Sequence, residues 1–339
     1  MTSLYDHATY TEIKFQTDAW AQALDVTRAA SLPKAEKYEQ VIFTGCGSTY
    51  YLSLAAAALY QELTGRAARA VPGGELLFNS QTVLTRQKTL LVAISRSGTT
   101  TETVKAVEKF KNEKRGDVIV ISNYDEALSC MANVNIVIEK GQEESVAQTR
   151  SFASMFVAAT AFAARMAGRD DLMDAMNQLP VIGNWVIGKY ESWAKEIGEN
   201  LSYDRFYFLG SGIRYGLACE VNLKMKEMTI THSEPFHFLE FRHGPMSMVN
   251  EHAVVVGMLS DANRVHEAKV LEEMKALGGT VAALGESEAA VAFESGVPEI
   301  ARGVLYLPVL QLMAYYRSIA KGLNPDRPTN LTAVVKLHI

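Results

Sequence analysis

Short, wholly apolar runs alternate with longer stretches of helical period along most of this chain, and the alternation starts over near its middle. Residues 40–44 (Gln-Val-Ile-Phe-Thr), 89–94 (Thr-Leu-Leu-Val-Ala-Ile), 117–121 (Asp-Val-Ile-Val-Ile) and 134–138 lack in/out alternation. Runs of that kind predict strands buried on both faces. A weaker strand pattern is read at 67–71. Between them, 11–30 reads as one amphipathic helix with Ile13, Trp20, Ala23, Leu24 and Ala29 on its apolar stripe. An Ala-rich helix is predicted up to 63, and others from 101 to about 111 and over 148–166. After a helical stretch at 171–199 the pattern restarts. Strands are predicted at 205–209, 254–259 and 280–284, and helices at 213–229, 265–277 and 309–321. The segment 287–298 reads as an acidic loop or short helix.

Buried strands alternating with helices predict an α/β fold of parallel sheets with helices on both faces. Both halves open with the same device, a strand, a Gly-x-Gly turn and a helix: Gly45-Cys46-Gly47 and Gly210-Ser211-Gly212. This predicts a diverged tandem repeat. The expected division is a helical leader at 1–37, a first α/β unit at 38–170, a helical linker at 171–199 and a second unit with its tail at 200–339.

The length of 339 residues fits two such units. With 33 Lys and Arg against 38 Asp and Glu, the net charge of −5 gives no basic footprint, so no nucleic-acid partner is expected. No apolar run reaches membrane-spanning length, and the N-terminus lacks a signal-peptide pattern, so a cytoplasmic protein is expected. Cys46, Cys130 and Cys219 are scattered without metal-ligand spacing, which fits a reducing compartment. Neither a metal nor a cofactor is expected.

The densest chemistry follows the strand at 89–94. Ser95-Arg96-Ser97-Gly98-Thr99-Thr100 leads directly into a helix. Hydroxyl donors, backbone N–H groups and the positive end of a helix dipole converge at such a start and suit a phosphate. Helix capping alone needs one hydroxyl, and this loop has four with an arginine. Gly47, Ser48 and Thr49 form a second strand-to-helix turn. It lacks the third glycine of a dinucleotide fingerprint, since Tyr50 stands there. Either a plain tight turn or a contact to a sugar or its phosphate accounts for it.

Glu220, Lys224 and Glu227 share one face of a helix at i, i+4 and i+7. They read as a salt-bridged surface or, given Leu217, Val221 and Met225 around them, as partly buried groups. Burial would raise a carboxylate toward a useful base. His243 precedes Gly244-Pro245, a rigid turn. It reads as a structural histidine or as a proton-transfer group at a sugar ring oxygen. His232 and His237 have no metal-ligand spacing with it.

Several of these motifs, in order, resemble the sugar isomerase (SIS) domain family. Its members include the isomerase half of glucosamine-6-phosphate synthases and stand-alone aminosugar-6-phosphate deaminases and isomerases. Glu12-Ile13 with Gln16 resembles the family's leader. Cys46-Gly47-Ser48-Thr49-Tyr50 resembles its first turn, and 95–100 its phosphate loop. Val146-Ala147-Gln148-Thr149, Leu223-Lys224-Met225-Lys226-Glu227 and His243-Gly244-Pro245 match further motifs.

The resemblance implies two flavodoxin-like SIS subdomains, a homodimer and a hexose 6-phosphate substrate bound at a site between the subdomains. It places Gly47, Ser48, Thr49, Ser95, Arg96, Ser97, Thr100 and Val146 at the substrate. Glu227 would shuttle a proton between C1 and C2. His243, from the other subunit, would open the ring, and Lys224 would steady the enolic oxygen or the base. The chain departs from the pattern in three ways. No glutamine-hydrolysing domain is present, so glutamine-fed synthesis is not expected. Arg96 replaces a glutamine. Ala333 stands where the family has its Schiff-base lysine, with Lys336 three positions on. The implied activity is isomerisation or aminosugar deamination. Fructosamine-6-phosphate deglycation and a non-catalytic phosphosugar sensor are the alternatives.

Overall fold

The structure is a computed structural model and describes residues 7–335 and 337. It contains two compact units, one built from 16–143, 150–180 and the 332–337 tail, the other from 7–15, 144–149 and 181–331. Lys336 lies outside the described residues.

The first unit is a five-stranded sheet in the order β2-β1-β3-β4-β5. Its strands are β1 (Gln40–Gly45), β2 (Ala68–Pro72), β3 (Thr89–Ser95), β4 (Gly116–Ser122) and β5 (Val134–Val137). Every pairing is parallel, and β1 meets β3 in the register Gln40↔Thr89 to Thr44↔Ala93. Val41, Ile42 and Phe43 are all buried, as a strand covered on both faces requires. On one face Ile42, Leu91, Val118 and Val120 pack with Val107 and Phe110. On the other, Phe43, Tyr60 and Phe162 form a ring cluster.

The first helices among the described residues are α1 (Ala8–Lys14) and α2 (Thr17–Ala29). The single helix predicted at 11–30 is therefore two. The break at Phe15 and Gln16 falls where the chain passes from one unit to the other. The remaining helices of the first unit are α3 (Ser48–Thr64), α4 (Gly73–Phe78), α5 (Ser80–Val83), α6 (Thr101–Asn112), α7 (Arg150–Met166) and α8 (Asp170–Met176).

The second unit is entered through α9 (Leu179–Glu199). Its strands are β6 (Arg205–Leu209), β7 (His232–Phe236), β8 (Ala253–Met258), β9 (Thr280–Gly285) and β10 (Val291–Ala292), and its further helices α10 (Ile213–Thr229), α11 (Arg264–Ala276) and α12 (Leu307–Ala320). The sheet order, β10-β9-β8-β6-β7, is that of the first sheet read from the other end. Gly47 and Gly212, the residues before α3 and α10, share one left-handed conformation at φ 57°, ψ −124° and φ 58°, ψ −129°. A side chain is disfavoured there, so the glycines fix the same turn twice. The predicted repeat is thus present down to its backbone dihedrals. Edge strand β7 was not anticipated, nor were the short helices α4 and α5, nor β10 inside the stretch read as an acidic loop or short helix.

Candidate functional site

In each sheet the direction of winding reverses between the first and third strands of the unit. A crevice forms at such a point, outside the strands' carboxyl ends. In the first unit the loops flanking it are 45–49 after β1 and 95–100 after β3. The β1–β3 register therefore sets the two predicted binding loops side by side.

Inside the 95–100 loop the hydroxyl oxygens accept and their protons remain. Ser95 Oγ accepts the Gly98 N–H at 3.2 Å, and Ser97 Oγ accepts the Thr99 N–H at 3.2 Å and its hydroxyl at 3.1 Å. A hydroxyl that accepts in this way keeps one O–H to donate elsewhere. Thr100 precedes α6, and its side chain makes no capping bond. Three hydroxyls at one helix start can thus turn donors toward an anion.

Arg96 has a different setting. Its guanidinium lies 3.2 Å from Glu143, whose side chain is fully buried, and donates to the Ala333 carbonyl at 2.8 Å. Glu143 also accepts the Ser151 N–H at 3.1 Å at the start of α7. The charge expected beside a phosphate is therefore balanced from within. Arg96 links the loop to α7 and to the tail segment that carries Ala333.

In the neighbouring turn Thr49 Oγ1 accepts the Cys46 N–H at 2.9 Å and donates to the Cys46 carbonyl at 3.0 Å. Thr49 thus shapes the turn, while Ser48 occupies the first helical position after Gly47. The Cys46 thiol lies 3.4 Å from the Thr103 hydroxyl, and burial pushes its pKa up.

The second unit carries the proposed acid–base groups. α10 is buried nearly all round, so Glu220 and Lys224 are each about 1% exposed. Lys224 Nζ lies 2.5 Å from Glu227 and 3.4 Å from Glu220. Glu227 is the less buried carboxylate of the pair, at 19% side-chain exposure. Lys224 therefore holds Glu227 in place from the buried side and leaves it reachable. His243 sits between one-turn 3-10 helices at Glu240–Arg242 and Pro245–Met248. Its N–H donates to the Glu240 carbonyl at 3.0 Å, and the residue is exposed. Among the described residues its ring makes no hydrogen bond, so the structure does not join it to Lys224 or Glu227. His237 stacks on Tyr215 at 3.9 Å between ring centroids, and burial lowers its imidazole pKa. Val146 donates its N–H to the Asp326 carbonyl at 2.9 Å.

The corresponding crevice of the second unit is filled by charged side chains. Ser260, just beyond β8, gives its N–H to Glu267 at 2.6 Å and its hydroxyl to the same oxygen at 3.0 Å. The next N–H, of Asp261, goes to Glu299 at 2.8 Å. Arg214 pairs with Glu299 and lies 3.7 Å from Glu267, and Arg302 pairs with Asp261 and with Glu286. Sequence reading missed this network because its members come from five separate segments.

Among the described residues no three His, Cys, Asp or Glu side chains gather as a metal-ligand group. No helix among them is long and apolar enough to cross a membrane.

The SIS domain model matches residues 36–165 and 202–316, one match for each sheet. The chain belongs to the SIS domain family. Its two units are tandem SIS subdomains. The isomerizing glutamine–fructose-6-phosphate aminotransferase of Pyrococcus horikoshii is 30% identical over 353 residues, covering 98% of this SIS chain. This chain spans 58% of the length of that relative. The enzyme of the same name from Sulfolobus acidocaldarius is 34% identical over 261 residues, covering 74% of this chain and 42% of its own length. Among solved structures, glucosamine-6-phosphate deaminase from Thermotoga maritima superposes with a TM-score of 0.80 at 26% identity, over 97% of this chain and all of that one. The C-terminal domain of glucosamine-fructose-6-phosphate aminotransferase from Francisella tularensis shares the fold, with a TM-score of 0.85 at 21% identity over 95% of this chain and 98% of that one.

Proposed function

We propose that this chain is a phosphosugar isomerase acting on a hexose 6-phosphate, in particular an aminosugar such as glucosamine 6-phosphate. The Lys224–Glu227 pair carries this reading: a reachable carboxylate held at 2.5 Å by a buried ammonium. Glu227 takes the proton from C2 and returns it to C1, or the reverse, through an enediol or enolamine. Lys224 steadies that base and opposes the charge that develops on the sugar. With an amine at C2, proton transfer gives a C2 imine, and water converts it to the ketose and ammonia. The Ser95, Ser97 and Thr100 hydroxyls hold the phosphate. Ser48 and the turn at Gly47 and Thr49 adjoin it, and Arg96 orders the loop from behind.

His243 moves the proton of the ring oxygen. Its exposed ring supports its service to a second copy of the chain in a cytoplasmic homodimer. The names of the Pyrococcus and Thermotoga relatives support both isomerisation and deamination, which share the first proton transfer. With Ala333 in the tail, this reaction runs without an imine to a lysine at that position.

Glu227→Gln tests the reading. With glucosamine 6-phosphate, galactosamine 6-phosphate and fructose 6-phosphate as substrates, ammonia and ketose formation should fall by about a thousandfold or more, with binding within a few-fold of wild type. Turnover that survives in the variant removes Glu227 from the mechanism. A wild-type chain that binds these sugars without turning any over would instead be a sensor.

A further inference from the structure

Residues 144–149 belong to the second unit, although the chain on both sides belongs to the first. So short an excursion has no core of its own, and side chains and a turn of the second unit hold it. Glu12, on α1, is only 3% exposed. One of its carboxylate oxygens accepts the N–H groups of Glu144 at 2.5 Å and Ser145 at 3.3 Å, and the other accepts the Ser145 hydroxyl. The next N–H, of Val146, goes to the Asp326 carbonyl at 2.9 Å. Farther on, the buried Gln311 amide donates to the Thr149 carbonyl at 3.2 Å.

Asp326 closes the circuit. Its carboxylate accepts the N–H groups of Ala8 at 3.1 Å and Thr9 at 2.8 Å and the Thr9 hydroxyl at 2.6 Å. Those groups begin α1, the helix that carries Glu12. Burial pushes the Asp326 carboxyl up, but the bonds from Thr9, Ala8 and His7 outweigh it and hold the group below the usual carboxylate range. Asn324 sets the turn around Asp326 by accepting the N–H groups of Asp326 at 2.9 Å and Arg327 at 3.2 Å. Helix, segment and turn thus form a closed ring of hydrogen bonds. Three successive N–H groups, 144 to 146, are fixed by two acidic residues.

A buried carboxylate is costly unless its bonds are met. Here both carboxylate oxygens of Glu12 accept bonds from the two residues that precede Val146. We infer that Glu12 and Asp326 are positioning residues that set the backbone of 144–146 for the sugar phosphate. The inference rests on the functional reading above and on the family resemblance, which implies Val146 at the substrate. Neither residue touches the reacting atoms; each acts through the segment.

The test is Glu12→Gln in the full-length chain, followed by hydrogen exchange at 144–146 and by steady-state kinetics with glucosamine 6-phosphate and fructose 6-phosphate. Loss of charge-assisted bonds should speed exchange at these amides by about tenfold or more and raise KM by about tenfold, with kcat within about threefold. A purely structural role would lower thermal stability and leave KM unchanged. Ser145→Ala removes only the hydroxyl donor and keeps the Glu12 carboxylate with its bonds from the 144 and 145 N–H groups, so it serves if Glu12→Gln folds poorly; it should move both readouts the same way by a few-fold. Unchanged exchange at 144–146 in both variants overturns the inference, and so does faster exchange with unchanged KM. If the wild-type chain binds neither sugar, the functional reading fails with the substrate role. The exchange arm then decides alone whether Glu12 fixes the segment.

Discussion

The two winding-reversal points of this molecule have the same strand order and the same glycine conformation but opposite contents. In the first unit, the loop after β3 keeps hydroxyl donors at Ser95, Ser97 and Thr100. In the second, the loop after β8 gives its N–H groups to Glu267 and Glu299, which Arg214 balances, while Arg302 pairs with Asp261 of the same loop. Both loops satisfy the same requirement: N–H and hydroxyl donors at a helix start need an anion or water. The second unit supplies its own carboxylates. The first keeps its O–H donors unspent, and that is where the proposed function seats the phosphate. In the second unit the helix after Gly212 carries the Lys224–Glu227 pair.

This contrast can be broken from either side. The largest effect is expected at the filled loop. Glu267→Gln removes a buried charge opposite Arg214 and weakens its bonds to Ser260. A loss of about 3 kcal/mol in unfolding free energy should follow in denaturant titration, with fructose 6-phosphate affinity changed less than about twofold. A large loss of affinity in that variant would show that the second loop also takes the ligand.

The open loop should respond in the opposite way. The Thr100 hydroxyl makes no bond among the described residues, so Thr100→Val should leave the melting temperature unchanged. Affinity for fructose 6-phosphate should fall about five- to tenfold, as expected for one hydrogen bond to a charged group. An unchanged affinity would take Thr100 out of the phosphate site.

The smallest effect is a pH dependence of the second unit. Burial depresses the His237 pKa where its ring stacks on Tyr215. The folded state thus binds a proton less readily than the unfolded chain. The stabilising contribution is complete above the ordinary imidazole pKa of about 6.5 and is lost as pH falls through the lower folded value. His237→Phe should flatten the stability profile in that window, and an unchanged profile would assign the slope elsewhere.

The elements legible in the sequence were those whose chemistry is local. Apolar runs such as 89–94 are strands because both faces are covered, and Gly47 and Gly212 mark identical turns. The Lys224–Glu227 contact follows from helical spacing. What escaped depends on distant partners. His232-Ser233-Glu234-Pro235-Phe236 has no strand pattern, and it pairs only with β6 at the sheet edge, where proline is tolerated. No element is predicted at 73–78, where the structure has α4. A Cβ at Gly73 would come within 2.9 Å of the Cys46 thiol. Arg96 reads as a free charge because Glu143 stands 47 positions away. Glu12 was visible as part of a leader motif, but its bond to Ser145 spans 133 positions.

The most direct measurement is a crystal structure of the wild-type chain with fructose 6-phosphate bound. The account predicts the phosphate within hydrogen-bonding distance of the Ser95, Ser97 and Thr100 hydroxyls, with Glu267 still bonded to Ser260. A phosphate seated at 259–263, or one placed away from residues 95–100, would contradict it.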